Sequence, residues 1–131
     1  MIKQMQLLGI DYGRKKIGLA LSGGKLAEPY EVLKVRFIDE GVEKVGEVVK
    51  EKKVKKIVVG ISEGKMAEEA KAFGEKVGYL TNKPVVFQDE TLSTLDAQEL
   101  SIKAGIKRKK RKQLEDAYSA ALILQSYLDK M

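Results

Sequence analysis

The apolar pattern of this chain changes near residue 40 from strand runs alone to strand runs alternating with helical stripes, and that change restricts the fold more than any other feature of the sequence. Before it, apolar residues come in short runs of strand length. Leu7-Leu8-Gly9-Ile10-Asp11 reads as a buried strand, and Ile17 to Ser22 follows within hairpin distance after Tyr12-Gly13-Arg14-Lys15-Lys16. Gly23-Gly24 marks a turn, and beyond Pro29 the alternation of Leu33, Val35 and Phe37 predicts a third strand with outer limits at Tyr30 and Ile38. Three such strands joined by short turns predict an antiparallel meander.

After the change, helical stripes alternate with dense apolar runs. Val42, Val45 and Val49 share one helical face and lead into Ile57-Val58-Val59-Gly60. Met66, Ala70, Phe73, Val77 and Leu80 form a second stripe and lead into Pro84-Val85-Val86-Phe87. A helix crossing between two strands favours parallel pairing. Ala97, Leu100 and Ala104 outline a further helix that stops near Gly105, and Leu114, Ala117, Ala121, Leu124 and Leu128 a final one. The expected order is βββαβαβαα: an α/β fold with a five-stranded mixed sheet, three strands antiparallel plus two parallel, flanked by helices. At 131 residues, one domain over 1–131 is the expectation.

The chain has no Cys and no His, which excludes disulfides, thiolate nucleophiles, Ser-His pairs and His- or Cys-ligated metals. Chemistry here must use carboxylates, Lys, Tyr, Ser/Thr or a hard cation held by oxygen. The net charge of +6 equals one hexapeptide, Lys107-Arg108-Lys109-Lys110-Arg111-Lys112, without which Lys plus Arg and Asp plus Glu balance. A polyphosphate backbone is the natural partner of such a run; a solvated loop is the alternative. The apolar stretch Met5 to Ile10 is too short for a signal core or a membrane span, so a cytoplasmic location without membrane contact is expected.

Three acids fall at element ends. Asp11 closes the first strand within Gly9-Ile10-Asp11-Tyr12-Gly13, Asp89-Glu90 follow the fifth strand, and Asp116 is expected in the first turn of the last helix. If the first, fourth and fifth strands run parallel, their carboxyl ends share one edge, where crevices form in open α/β sheets. Oxygen-only acids gathered there would suit Mg²⁺ or Mn²⁺ and metal-assisted displacement at phosphorus. Each acid also has a plain structural reading. Asp11 could shape a turn, Asp89 and Glu90 could precede a helix capped by Ser93, and Glu115 and Asp116 could be first-turn acids. Gly9 and Gly13 leave the backbone beside Asp11 bare, as close approach of a phosphate or metal requires. Arg14, Lys15 and Lys16 could hold a nucleic-acid strand or remain solvated turn cations.

With these residues in order, the chain resembles the YqgF family, also called RuvX: Holliday junction resolvases or pre-16S rRNA nucleases with a ribonuclease H-like fold. The resemblance rests on Gly9 to Gly13 with Lys16-Ile17-Gly18-Leu19-Ala20, on Ile57 to Gly60, on Asp89-Glu90-Thr91-Leu92-Ser93-Thr94, on the Lys107 to Lys112 run, and on Asp116 with Ala120-Ala121-Leu122-Ile123-Leu124. It implies that Asp11, Glu90 and Asp116 are metal-binding catalytic acids, with Asp89 as support or alternative ligand, and that the cofactor is Mg²⁺ or Mn²⁺. The chain departs from the family at Thr91, where an Arg is usual, and at Gly23, where an acid is usual. The loop Ile61-Ser62-Glu63-Gly64 is also shortened, and Glu63 is an outside candidate for a ligand. The implied activity is endonucleolytic hydrolysis of structured RNA such as pre-16S rRNA, or of branched DNA, by a monomer or homodimer whose helix stripes serve one core. A non-catalytic RNA- or ribosome-associated binding module of the same fold fits the departures. Gly-x-Asp-x-Gly before a basic hairpin also resembles the phosphate loop of actin-like ATPases.

Overall fold

The computed structural model describes residues 6–62, 64–89 and 108–130, the first six of the last segment as backbone only. The meander is β1 (Gln6–Asp11), β2 (Lys16–Ser22) and β3 (Glu28–Lys34). Then come α1 (Ile38–Glu51), β4 (Val54–Ile61), α2 (Lys65–Thr81), β5 (Val85–Asp89) and α3 (Arg108–Leu128). The strands form one sheet in the order β3-β2-β1-β4-β5. β2 pairs antiparallel with both β1 and β3, whereas β4 pairs parallel with both β1 and β5. This is the mixed five-stranded sheet that the change of period predicts.

Strand alternation divides the core between two faces. Leu8 and Ile10 of β1 point with Ile57 and Val59 of β4 towards α1 and α2, where they meet Val45, Val49, Phe73 and Val77. Leu7, Ala20 and Val58 point the other way, against Ala120, Ala121, Ile123 and Leu124 of α3. β1 and β4 are therefore covered on both sides, which is why they read as unbroken apolar runs. α2 ends at Thr81 and is capped by Asn82, whose N–H still donates to the Gly78 carbonyl at 2.8 Å while its left-handed backbone (φ 58°) turns the chain out of the helix.

Two boundaries differ from the sequence expectation. β3 runs from Glu28 to Lys34, not from Tyr30 to Ile38. Val35 still donates its N–H to the Lys15 carbonyl at 2.9 Å, but the Arg36 N–H then goes to Glu40 Oε1 at 2.7 Å, which closes the first turn of α1. Phe37 becomes the N-cap and is 56% exposed, so its place in the alternation is coincidental. Pro29 lies inside β3, where an edge strand can spare the missing N–H. The second difference is at α3, which begins at Arg108 and so takes most of the basic run into the helix. Lys and Arg are good helix formers and no Gly or Pro interrupts them before Leu114. Asp116 consequently lies in the third turn, not the first. The helix expected around Ala97 to Ala104 lies outside the described residues.

Candidate active site

The end of β1 is built around the absence of side chains. Asp11 pairs across β1 and β2 with Gly18, and Gly9 pairs with Ala20. A Cβ placed on Gly18 would lie 1.9 Å from the carbonyl oxygen of Asp116, and one on Gly9 would lie 2.7 Å from Leu124 Cβ and 2.9 Å from the Ala120 oxygen. α3 therefore lies directly on the bare backbone of β1 and β2. By alternation, Asp11 shares the α3 face with Leu7 and Gly9. The contact at Gly18 sets Asp116 of α3 over the residue that faces Asp11, and so brings acids 105 positions apart in sequence to one end of the sheet.

The glycines thus serve packing where the sequence suggested open approach to a ligand. Gly9 makes room for α3, and a Cβ on Gly13 would meet the Lys16 carbonyl oxygen at 2.6 Å, so Gly13 closes the turn into β2. Gly18 carries the juxtaposition of the acids, and the sequence gives it one signal, a residue without a side chain between Ile17 and Leu19 in a buried strand.

Asp116 is partly buried, and that burial pushes its carboxyl above the ordinary carboxylate range, while the charge of Lys16 at the start of β2 pulls it back. Burial also raises the phenol of Tyr118. Arg14 is turned towards α2, on the other side of the sheet from α3. Its Nε donates to both Glu69 oxygens at 3.0 and 3.1 Å, and its terminal nitrogen makes a further contact with the same carboxylate. Tyr12 donates to Glu69 Oε1 at 3.4 Å and packs its ring, tilted by 36°, against Phe73 with centroids 5.0 Å apart. The Arg14 hydrogen bonds hold the Glu69 carboxyl below its usual range, and burial first, then the Glu69 charge, raises Tyr12. Glu69 anchors the segment that follows Asp11, a role that only the tertiary structure shows.

The remaining acids and cations are placed as follows. Lys15 and Lys16 are exposed in the β1–β2 connection and at the start of β2. Asp89 ends β5, exposed, opposite Ile61 of β4. Its neighbour Gln88 bonds Ser126 of α3 at 3.2 Å, so alternation directs Asp89 to the α2 side, away from Asp11 and Asp116. Among the described residues no three carboxylates are grouped to hold a metal ion. Glu90, Glu63 and Lys107 lie outside the described residues. The backbone of Arg108, Lys109, Lys110, Arg111 and Lys112 forms the start of α3, and their side chains lie outside the description. Among the described residues no helix is long and apolar enough to cross a membrane.

This sheet order, with helices on both faces, is a ribonuclease H-like fold. The chain superposes on RuvC of Thermus thermophilus in complex with a Holliday junction substrate, with a TM-score of 0.64 at 21% identity over 96% of each chain. It also superposes on the fowlpox virus Holliday junction resolvase, with a TM-score of 0.64 at 16% identity over 97% of this chain and 100% of that one. At such identities the likeness is one of fold. The chain belongs to the family described as RuvX, Holliday junction resolvase, which it matches over residues 5–130. It is 39% identical to a protein of Streptococcus thermophilus, with 97% of this chain and 99% of the relative covered. It is 42% identical to one of Pelotomaculum thermopropionicum, with 95% and 87% covered. Both relatives are named as candidate pre-16S rRNA nucleases. The enzyme class is therefore that of a nuclease, a hydrolase of phosphodiester bonds.

Proposed function

We propose that this nuclease is a Mg²⁺- or Mn²⁺-dependent endonuclease that processes pre-16S rRNA in the cytoplasm, with Asp11, Glu90 and Asp116 as its metal-binding catalytic acids; Asp89, directed to the α2 side, is left out of the set. The observation that carries the reading is the seating of Asp116 over Gly18, the partner of Asp11. Carboxylates brought together without nitrogen or sulfur donors form a set suited to a hard divalent cation. Such an ion, when bound, supplies Lewis-acid stabilisation and an activated water.

The chain's own residues do the rest. Asp11 and Asp116 offer oxygens from a rigid strand end and a packed helix, so neither has to be ordered when substrate arrives. The charge of Lys16 opposes the burial that raises the Asp116 carboxyl, and a bound divalent cation would favour the ionised form further. Lys15, Lys16 and the start of α3 supply cations for the phosphates on either side of the cut. Arg14 is engaged by Glu69, and its part in holding nucleic acid requires it to exchange that carboxylate for a phosphate.

The names of the relatives support a ribosomal RNA precursor as the substrate. The family's description favours a second reading, resolution of branched DNA. A cleavage panel of precursor 16S rRNA fragments, four-way junctions, duplexes and single strands, with Mg²⁺, Mn²⁺ or chelator, separates the two. Cutting confined to the precursor and stopped by chelation is the expected result. Cutting that survives chelation defeats the metal reading, and preference for the junction moves the substrate to DNA.

A further inference from the structure

The α2 stripe is not used up by the core: Leu80 is 55% exposed and its neighbour Tyr79 93%. Leu80 borders a cleft of about 710 Å³ between the C-terminal parts of α1 and α2 and the start of β4. Val49 and Val54, both buried, form apolar ground beneath it. Around it stand Lys50, Lys53, Lys55 and Lys83, against only two acids, Glu43 and Glu47. Among the described residues none of the four lysines has an ion pair with a carboxylate. Lys53 moreover holds φ at 55°, a conformation for which Gly or Asn is the usual choice. An apolar cleft beside exposed Leu and Tyr, rimmed by an excess of unpaired cations, has the makeup of a docking surface. It lies where β4 and β5 begin, at the opposite end of the parallel strands from Asp11, so an occupant there would leave the acids open.

We propose that this cleft docks a short acidic segment of a partner protein, seating one apolar side chain beside Leu80 and Val54 with flanking carboxylates on the lysines. Charge complementarity selects this occupant. Two copies of the chain meeting here would oppose two rims with the same excess of positive charge. Nucleic acid would satisfy the lysines and leave the apolar ground without a partner. The proposal is independent of the catalytic reading, because none of these residues belongs to the proposed site.

The test is fluorescence anisotropy of the full chain with a labelled eight-residue peptide carrying acidic residues around a central Leu-Phe pair. Controls are the same acids around Gly-Ser and a single-stranded RNA of equal length. The expected result is saturable binding of the Leu-Phe peptide, weakened about tenfold by Lys55→Glu with Lys83→Glu and by Leu80→Asp, with nuclease activity on naked substrate unchanged. Leu80→Ala serves if the Asp variant fails to fold by circular dichroism. Equal binding of the two peptides, or binding that the variants leave intact, overturns the proposal. So does RNA binding that these variants abolish while the peptide does not compete.

Discussion

At Gly18 one added carbon would collide with the Asp116 carbonyl group, oxygen at 1.9 Å and carbon at 2.2 Å. Both atoms are backbone, so no rotamer change relieves the contact, and either β2 or α3 must move. Gly18→Ala is therefore expected to destabilise the fold by about 1–3 kcal/mol and to displace Asp116 from Asp11, lowering cleavage by at least tenfold. Gly24→Ala, which meets open space, is expected to leave both unchanged. Urea midpoints and initial rates read the two effects.

Asp116 supplies a second test. Its carboxyl holds a proton more tightly in the folded chain than in the unfolded one, because burial outweighs the pull of Lys16. The folded state then binds more protons, and stability falls as pH rises from the ordinary carboxylate range through the raised folded value. Asp116→Asn removes this titration. The variant is expected to melt above the parent near neutral pH, with the gap narrowing below the ordinary carboxylate range. Mg²⁺ should raise the melting temperature of the parent and not that of the variant. A parent that melts alike at all pH values and ignores Mg²⁺ contradicts both steps.

Helix α3 and the β1–β2 hairpin are the two described elements that carry the proposed site, and each is held by contacts of a different kind. Steric fit holds α3, with Gly9, Gly18 and Gly60 facing Leu124, Asp116 and Ile123. The hairpin is held by Glu69, which reaches Tyr12 and Arg14 from α2. Glu69→Gln is expected to weaken these bonds, barely change global stability because the pair is exposed, and speed amide hydrogen exchange at residues 12–15. Unchanged exchange there would remove Glu69 as the anchor.

These contacts also show what a sequence can reveal. The sheet was legible because β1 and β4, buried on both faces, had to be unbroken apolar runs, and because the α1 and α2 stripes had to face them. The start of α3 was hidden, since a run of cations reads as a loop although Lys and Arg favour helix. Phe37 kept the period of a strand while capping a helix, and the Glu69 anchor spans 57 residues from Tyr12, a contact that no local pattern encodes.

At the scale of the molecule, the +6 charge equals that of a segment whose larger part starts the helix that carries Asp116. On the proposed reading, one helix joins the binding run to the catalytic Asp116. Changing Lys109, Lys110 and Arg111 to Gln is expected to weaken nucleic-acid binding and to flatten its salt dependence by up to about 0.9 log units per lost duplex contact, or about 0.7 on single strands. The measurement is affinity across a salt titration, and an unaltered slope would remove the run from the interface.

In the proposed mechanism, acids from the end of β1 and from α3 act together on one divalent cation. This is tested most directly by Mg²⁺-dependent cleavage of a precursor 16S rRNA fragment by Asp11→Asn and Asp116→Asn, each checked for fold and for nucleic-acid affinity. Both variants are expected to fold and to bind, and neither to cut above the metal-free background. Cleavage by either variant within about tenfold of the parent rate, a difference of only ~1.4 kcal/mol in the barrier, would contradict it.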